Sequence, residues 1–216
     1  MSAPPPSHPA EPVAAGRLDL AESIRRLIVA ATTGSASAHE LAAARDLVVA
    51  ATSALGWVPT VNGHRAETES GRRPSVNPFG SAENPLAPPL REVRSEDGEY
   101  VAELALSPAY EGPPGRVHGG VVTGILDHAS GFALRSLGVL AVSVSLTISL
   151  HEPTPYGVPL VVNARVSERE GRKIWVDASL STAAGHRTAS CRTLMIELLE
   201  APAWGQSALA GLGRIL

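Results

Sequence analysis

A single helical segment stands between two groups of alternating segments, and this order limits the fold more than any other feature of the sequence. Residues 100–106 alternate apolar and polar side chains after an Asp97-Gly98 turn signal, and residues 142–150, VSVSLTISL, repeat the alternation. Three more strand-like segments follow within residues 158–198. An alternating parallel sheet is excluded, because it needs a helix between each pair of strands. The sequence therefore predicts an α+β fold in which an antiparallel sheet wraps around one central helix.

The segments outside this pattern predict the domain organisation. Residues 1–16 are rich in Pro, Ala and Ser and predict a disordered tail, and residues 17–57 carry apolar side chains at helical spacing and predict a helical extension. Residues 58–88 have no period and are dense in Pro, Gly, Asn and Ser, which is typical of a linker or of a functional lid. The main domain is then expected over residues 89–200, followed by a C-terminal tail over residues 201–216.

Composition limits the partners and the compartment. Eighteen Lys and Arg against 21 Asp and Glu give a formal charge of −3, so we expect no binding to nucleic acid or to anionic lipid. The single cysteine, Cys191, fits a reducing compartment and reads as a buried small hydrophobe. The N-terminus lacks the pattern of a signal peptide and no apolar run is long enough for a membrane span. The seven histidines show no metal-ligand spacing, so we expect a cytoplasmic protein without a bound metal.

The central helix, predicted over residues 120–137, carries a carboxylate beside a row of glycines. Asp127 lies nearly opposite the apolar stripe, and Gly120, Gly124 and Gly131 stand on its own side of the helix. The predicted core stripe comprises Val121, Val122, Ile125, Ala129, Phe132 and Ala133. Each glycine costs about 0.5–1 kcal/mol relative to alanine, so we predict that something approaches this side closely. Backbone packing beside a solvated carboxylate and a catalytic site both fit the helix alone.

The diglycine at the start of the helix favours the catalytic interpretation. A helix N-terminus exposes unpaired N–H groups, so the amides of Gly119 and Gly120, behind His118, can receive a carbonyl oxygen that becomes an oxyanion. One such donor is worth about 2.7–4 kcal/mol in a transition state. By contrast, Ser130 within DHASG has no nucleophile-elbow motif around it and is expected to be a helix-surface hydroxyl.

The segments VHGGVVTGILDHASG and VSVSLTISLHEPTPYGVPLVVNARV resemble the hotdog-fold acyl-CoA thioesterases of the PaaI-like branch, in the 4-hydroxybenzoyl-CoA thioesterase superfamily. The resemblance covers roughly residues 90–200 and rests on a His-Gly-Gly motif with an Asp nine residues after the His. It implies a hotdog fold over residues 89–200 and active sites that lie across a dimer interface.

The resemblance also implies roles for individual residues. Asp127 would be the catalytic carboxylate, as a general base or as a nucleophile, and the amide of Gly119 would polarise the thioester carbonyl. His118 would position the thioester or the corner, and Ser143 aligns with a helper hydroxyl found in some members. His128 stands where the family often has Glu, which leaves the positioning of water open.

These observations predict an enzyme that hydrolyses acyl-CoA thioesters to free acid and CoA. No separate cofactor is expected, since coenzyme A is part of the substrate, and Arg165, Arg172 and Lys173 are candidate contacts for its phosphates. The sheet edges favour a homodimer or a dimer of dimers. Two alternatives stay open: a hotdog 3-hydroxyacyl-CoA dehydratase, which wants a His paired with a carboxylate, and a non-catalytic acyl-CoA-binding dimer.

Overall fold

The computed structural model describes residues 10–56 and 77–199, and the chain divides into two compact units. The first unit contains helices α1 (Ala10–Thr33) and α2 (Ala38–Ala54), as the helical spacing predicts. A capping box starts α2: the amide of Glu40 donates to the Ser37 hydroxyl, and the Glu40 carboxylate accepts from the Ser37 amide. No helix in the described part of the chain is long and apolar enough to cross a membrane.

Helix α1 begins earlier than predicted. It starts at Ala10, so residues 10–16 are helical and not part of a tail, whereas residues 1–9 lie outside the described residues. Pro12 falls in the first turn, where a proline removes no helical hydrogen bond, and an alanine-rich stretch follows it. The predicted C-terminal tail, residues 201–216, and most of the predicted 58–88 loop also lie outside the described residues.

The second unit is a six-stranded antiparallel sheet with one long helix against it, as predicted. Its elements are β1 (Arg91–Glu96), β2 (Glu99–Ala105), α3 (Gly119–Arg135), β3 (Ala141–Leu150), β4 (Pro159–Glu170), β5 (Lys173–Thr182) and β6 (Arg187–Glu197). The strand order is β1-β2-β4-β5-β6-β3, so β1 and β3 form the two edges. Because α3 connects β2 to β3, which lie apart in the sheet, the helix crosses the face of the strands between them.

Helix α3 buries a wider arc than the sequence indicates. Ile125, Ala129 and Ala133 are fully buried as predicted, but Leu126 and Leu134 are buried too, since the sheet curves around more than one face of the helix. The predicted stripe residues Val121 and Phe132 are only partly buried. The core of the domain is therefore the space between α3 and the inner face of the sheet.

The expectation that Ser130 is a surface hydroxyl is wrong. Ser130 is 0% exposed, and its hydroxyl donates to the Leu126 carbonyl at 2.9 Å and lies 3.2 Å from the Thr193 hydroxyl on β6. A serine in a helix can satisfy its hydroxyl on the carbonyl four residues back, so burial leaves no unpaired group. Cys191, also on β6, is buried as predicted.

Strand β3 is irregular as well as exposed. Its register with β6 shifts between Ser143 and Ser145, so Val144 is an extra residue that interrupts the alternation. Val144 and Leu150 are 55% and 59% exposed on this edge strand. This edge carries unpaired backbone groups and apolar side chains together, which is typical of a surface that pairs with another strand.

The β1–β2 hairpin gives a stability test of the turn signal. Gly98 has φ 79°, and a Cβ there would also lie 3.3 Å from Leu137 and 3.4 Å from Val166. We expect Gly98→Ala to lower the free energy of unfolding by roughly 1–2 kcal/mol, measured by urea denaturation. Asp97→Asn is the control and should change it little, because Asn tolerates the φ of 50° found at Asp97. Equal urea midpoints for Gly98→Ala and wild type would contradict this account of the turn.

Candidate active site

The His-Gly-Gly corner forms the start of α3. His118 is the N-cap residue in an extended conformation, φ −62° and ψ 132°, and its Nδ1 accepts a hydrogen bond from the Gly120 amide at 3.0 Å. The Gly119 amide has no hydrogen-bond partner among the described residues. The corner therefore offers one free helix N-terminal donor, that of Gly119, and the second diglycine amide serves to hold the histidine.

The loop before the corner is packed against the rest of the domain. The His118 amide donates to the Tyr110 carbonyl at 2.9 Å, and the Val117 amide donates to the Thr154 carbonyl at 2.9 Å. The Glu111 carboxylate accepts from the Gly115 amide and from the Tyr156 hydroxyl, and this hydrogen bond raises the pKa of Tyr156. These contacts fix the position of the corner before any substrate is present.

Asp127 lies on the opposite side of α3 from the core and lines a cavity of about 470 Å³. Its Oδ1 is buried and has no hydrogen-bond partner within the described residues. Burying an acceptor without a partner is costly, so this carboxylate oxygen lacks a hydrogen bond that a water or a substrate group could supply. Ser143, on β3, lines the same cavity, so the structure brings these two predicted site residues together.

The cavity is lined by both polar and apolar side chains. Leu140, Val142 and Met195 contribute to its wall, together with the side chain of Phe132. A site of this kind suits a substrate with one reacting polar group and an apolar chain.

The glycine row allows close approaches at two of its three glycines, and the third has no neighbour. A Cβ at Gly120 would lie 3.1 Å from the His118 ring, and a Cβ at Gly124 would lie 2.2 Å from the ring of Phe79. Gly131 has nothing within 4 Å of its Cβ position and lines the cavity. Phe79 belongs to the predicted 58–88 loop, and the sequence offered no periodicity that would have identified it.

His128 is a further site residue that the sequence indicated only as a departure from the family. It is 9% exposed, and its ring lies 4.4 Å from that of Phe132. Burial lowers the pKa of His128 to about 4, and the charge of Arg135 contributes in the same direction. Its Nε2 has no hydrogen-bond partner in the described part of the chain, so the ring is a neutral neighbour of Asp127 in the cavity wall.

The three candidate contacts for CoA phosphates do not form one cluster. Arg165 lies within β4, opposite Asp177 of β5, whereas Lys173 begins β5 beside the β4–β5 turn. Four residues of strand separate these levels, which is about 13 Å at 3.3 Å per residue. The Nε of Arg172, in the turn, already donates to the Glu197 carbonyl at 3.0 Å. The hairpin is long and spreads these side chains along its length. Their contact with CoA phosphates stays a prediction.

The fold and the site together indicate which class of protein this chain resembles. An antiparallel sheet around one long helix is the hotdog arrangement, and the free amide at the helix start and the carboxylate further along it lie on α3 as the resemblance to thioesterases implies.

Comparison with known proteins agrees with this class. Residues 114–189 match the family described as the thioesterase superfamily. The acyl-coenzyme A thioesterase THEM4 of Xenopus laevis is 30% identical over 73 residues, 34% of this chain and 33% of that protein. THEM4 of Mus musculus is 36% identical over 72 residues, 33% of this chain and 31% of that protein. The match thus spans about a third of the length of these relatives.

The likeness to a solved structure is more extensive. A crystal structure of a thioesterase superfamily protein is 28% identical, covers 91% of this chain and 94% of its own, and has a TM-score of 0.70. Coverage of this extent includes residues from both compact units. The resemblance to hotdog-fold thioesterases that the sequence predicts is confirmed.

Burial of His128 predicts a pH dependence of stability. The unfolded chain binds a proton at His128 near pH 6.5 but the folded chain only near pH 4, so stability is full above pH 6.5 and falls as the pH drops towards 4. The loss is roughly 3 kcal/mol. We measure the free energy of unfolding by urea titration at each pH. Between neutral pH and pH 4 this free energy should fall by about that amount less in His128→Gln than in wild type.

His39→Gln, at an exposed histidine of α2, is the matched control and should follow the wild-type pH profile. Identical pH profiles for His128→Gln and wild type would show that His128 is not held neutral by the fold.

Proposed function

We propose that this protein hydrolyses acyl-CoA thioesters to a free acid and CoA. The observation that carries the proposal is the free carboxylate oxygen of Asp127 in a cavity with an apolar wall, on the same helix that presents the free Gly119 amide. The named activity of the THEM4 relatives supports it over the matched third of their length.

Hydrolysis of a thioester needs only these two groups, the Asp127 carboxylate and the Gly119 amide. Asp127 removes a proton from water, which attacks the acyl carbon, or attacks that carbon itself to form an anhydride that water then opens. The carbonyl oxygen becomes negative and is stabilised by the Gly119 amide and the positive end of the α3 dipole. The C–S bond then breaks, and the thiolate leaves as CoA and takes up a proton. Ser143 stands where its hydroxyl can orient the water or the thioester.

One thioester cannot reach both groups within a single chain. Asp127 follows Gly119 by eight residues of helix, which is about 12 Å at 1.5 Å per residue. A carbonyl held by the amide of Gly119 and attacked from Asp127 therefore needs these groups from two copies of the chain. We infer that the site forms across a homodimer, each copy giving its carboxylate to the other's corner.

Edge strand β3 suits such a dimer. Its Ser143 end lies at the Asp127 cavity, and Leu150 at its other end lies 3.2 Å from the position of a Cβ at Gly119. Antiparallel pairing of two β3 strands about a two-fold axis near Leu146 would exchange these ends. Each Asp127 cavity would then face the corner of the other copy, and the exposed Val144 and Leu150 would be covered.

The state of His118 favours hydrolysis over dehydration. Since Nδ1 of His118 accepts from the Gly120 amide, the neutral ring carries its proton on Nε2 and acts as a donor there. A dehydratase requires a histidine that removes a proton from the substrate. A donor at this place instead suits the positioning of a thioester.

The first test is release of free thiol from a panel of acyl-CoAs by wild type and Asp127→Asn. We expect the asparagine variant to lose roughly 10²–10⁴-fold in kcat/KM, because it can neither accept a proton nor attack. Asp177→Asn, on the sheet face away from α3, is the matched control and should stay near wild type. If wild type releases no thiol but hydrates enoyl-CoA, the protein is a dehydratase and not a hydrolase. If it releases no thiol and only binds acyl-CoA, it is a binding protein.

The role of the Gly119 amide has its own test. Gly119→Pro removes the N–H at the first helical position, where proline fits, and His118 already has the extended conformation that precedes proline. We expect kcat to fall roughly 10²–10³-fold. Gly119→Ala keeps the N–H and brings the same Cβ against Leu150, so it should stay within several-fold of wild type.

Mixing two inactive proteins then tests the shared site. In mixed dimers of Asp127→Asn and Gly119→Pro, one site carries both changes and the other carries neither, so about a quarter of the wild-type activity should return on random exchange. No recovery, with exchange shown by mass measurement, would contradict a site made from two copies.

A further inference from the structure

A short turn that precedes the sheet lies against the glycine row of α3. We call residues Asn77–Ala82 the Phe79 turn, and it belongs to the same compact unit as α3. The Asn77 side-chain oxygen accepts from the amides of Phe79 at 2.8 Å and Gly80 at 3.0 Å, and the Ser81 amide donates to the Asn77 carbonyl at 3.3 Å. These bonds fix the turn locally, as asparagine commonly does.

Two reciprocal contacts hold the Phe79 turn against the helix. The Phe79 ring occupies the space where a side chain at Gly124 would stand, since a Cβ there would be 2.2 Å from its Cζ. The His128 ring occupies the corresponding space at Gly80, where a Cβ would be 1.9 Å from its Cε1. Each surface thus supplies one ring and one glycine, and neither contact tolerates an alanine without movement.

The ring of Phe79 is therefore fixed close to the reacting group. Gly124 precedes Asp127 by three residues, so the two positions lie one above the other on the same face of α3. Phe79 lines the cavity that also contains Asp127 and Ser143. A rigid aromatic wall beside the carboxylate limits the shape of any group that is bound there.

We propose that Phe79 determines which acyl groups the enzyme accepts. This inference rests on the proposed thioesterase function and names a specificity residue outside the sheet and helix that carry the catalytic groups. The ring lines the cavity beside Gly124, on the N-terminal side of Asp127, so acyl chains that fit against it are hydrolysed and longer or bulkier chains are excluded. A single methylene that does not fit a pocket changes kcat/KM by about 10–200-fold, so a fixed ring is sufficient for selection.

The test compares kcat/KM over a series of straight-chain acyl-CoAs for wild type, Phe79→Ala and Phe79→Leu. We expect the ratio of long-chain to short-chain kcat/KM to rise at least about tenfold in Phe79→Ala, and by a smaller factor in Phe79→Leu. Leu86→Ala is the matched control: it is the same kind of truncation a few residues away, at an exposed side chain outside the cavity, and should keep the wild-type ratio.

The outcomes separate this inference from the proposed function. If wild type and Leu86→Ala hydrolyse acyl-CoAs but both Phe79 variants keep the wild-type chain-length profile, the specificity role is overturned and the thioesterase stands. A uniform loss or gain across all chain lengths overturns it too, since a merely structural contact would act in that way. If wild type releases no thiol from any acyl-CoA, the function and the inference fall together. Should Phe79→Ala not fold, Phe79→Leu, checked by its melting curve, decides between these outcomes.

Discussion

The burial of one side of α3 against the sheet determines where every polar group of the site stands. Ile125, Leu126 and Ala129 are fully buried, and a helix turns 100° per residue, so Asp127 must face the other side. Rotating the helix to hide its glycine row would drive the Asp127 carboxylate into the core, at a cost of several kcal/mol without a partner. The packing of α3 against the core therefore also fixes the position of the Asp127 carboxylate.

The glycine row lowers the stability of helix α3 but leaves room for the groups of the site. The three glycines of the row, Gly120, Gly124 and Gly131, cost about 0.5–1 kcal/mol each relative to alanine. Two of them admit rings that an alanine would displace, that of His118 at Gly120 and that of Phe79 at Gly124. The contact at Gly124 also buries apolar surface, which offsets part of the helix penalty. Gly131 has no such contact, and it leaves the cavity wall open beside Asp127.

Features encoded by neighbouring residues could be predicted from the sequence, and features encoded by distant ones could not. The Asp97-Gly98 hairpin and the side of α3 that bears Asp127 follow from local conformation and helical period. The burial of Ser130 depends on Thr193, 63 residues away, and the position of Phe79 depends on two glycine contacts. The separation of the candidate CoA contacts has a related reason: sequence proximity does not set how far a hairpin spreads Arg165 from Lys173.

The two histidines beside the site, His118 and His128, differ in burial and in hydrogen bonding. His118 is exposed, and its Nδ1 accepts a hydrogen bond from the Gly120 amide, so its other ring nitrogen, Nε2, carries the proton and can donate. His128 is buried and neutral near pH 7 because burial lowers its pKa to about 4. The positive Arg135 lies 4.6 Å over the Phe132 ring and makes no ion pair with Asp127. A cation bound to Asp127 would occupy the oxygen that water or the acyl carbon must approach, and this arrangement leaves that oxygen without a competing cation.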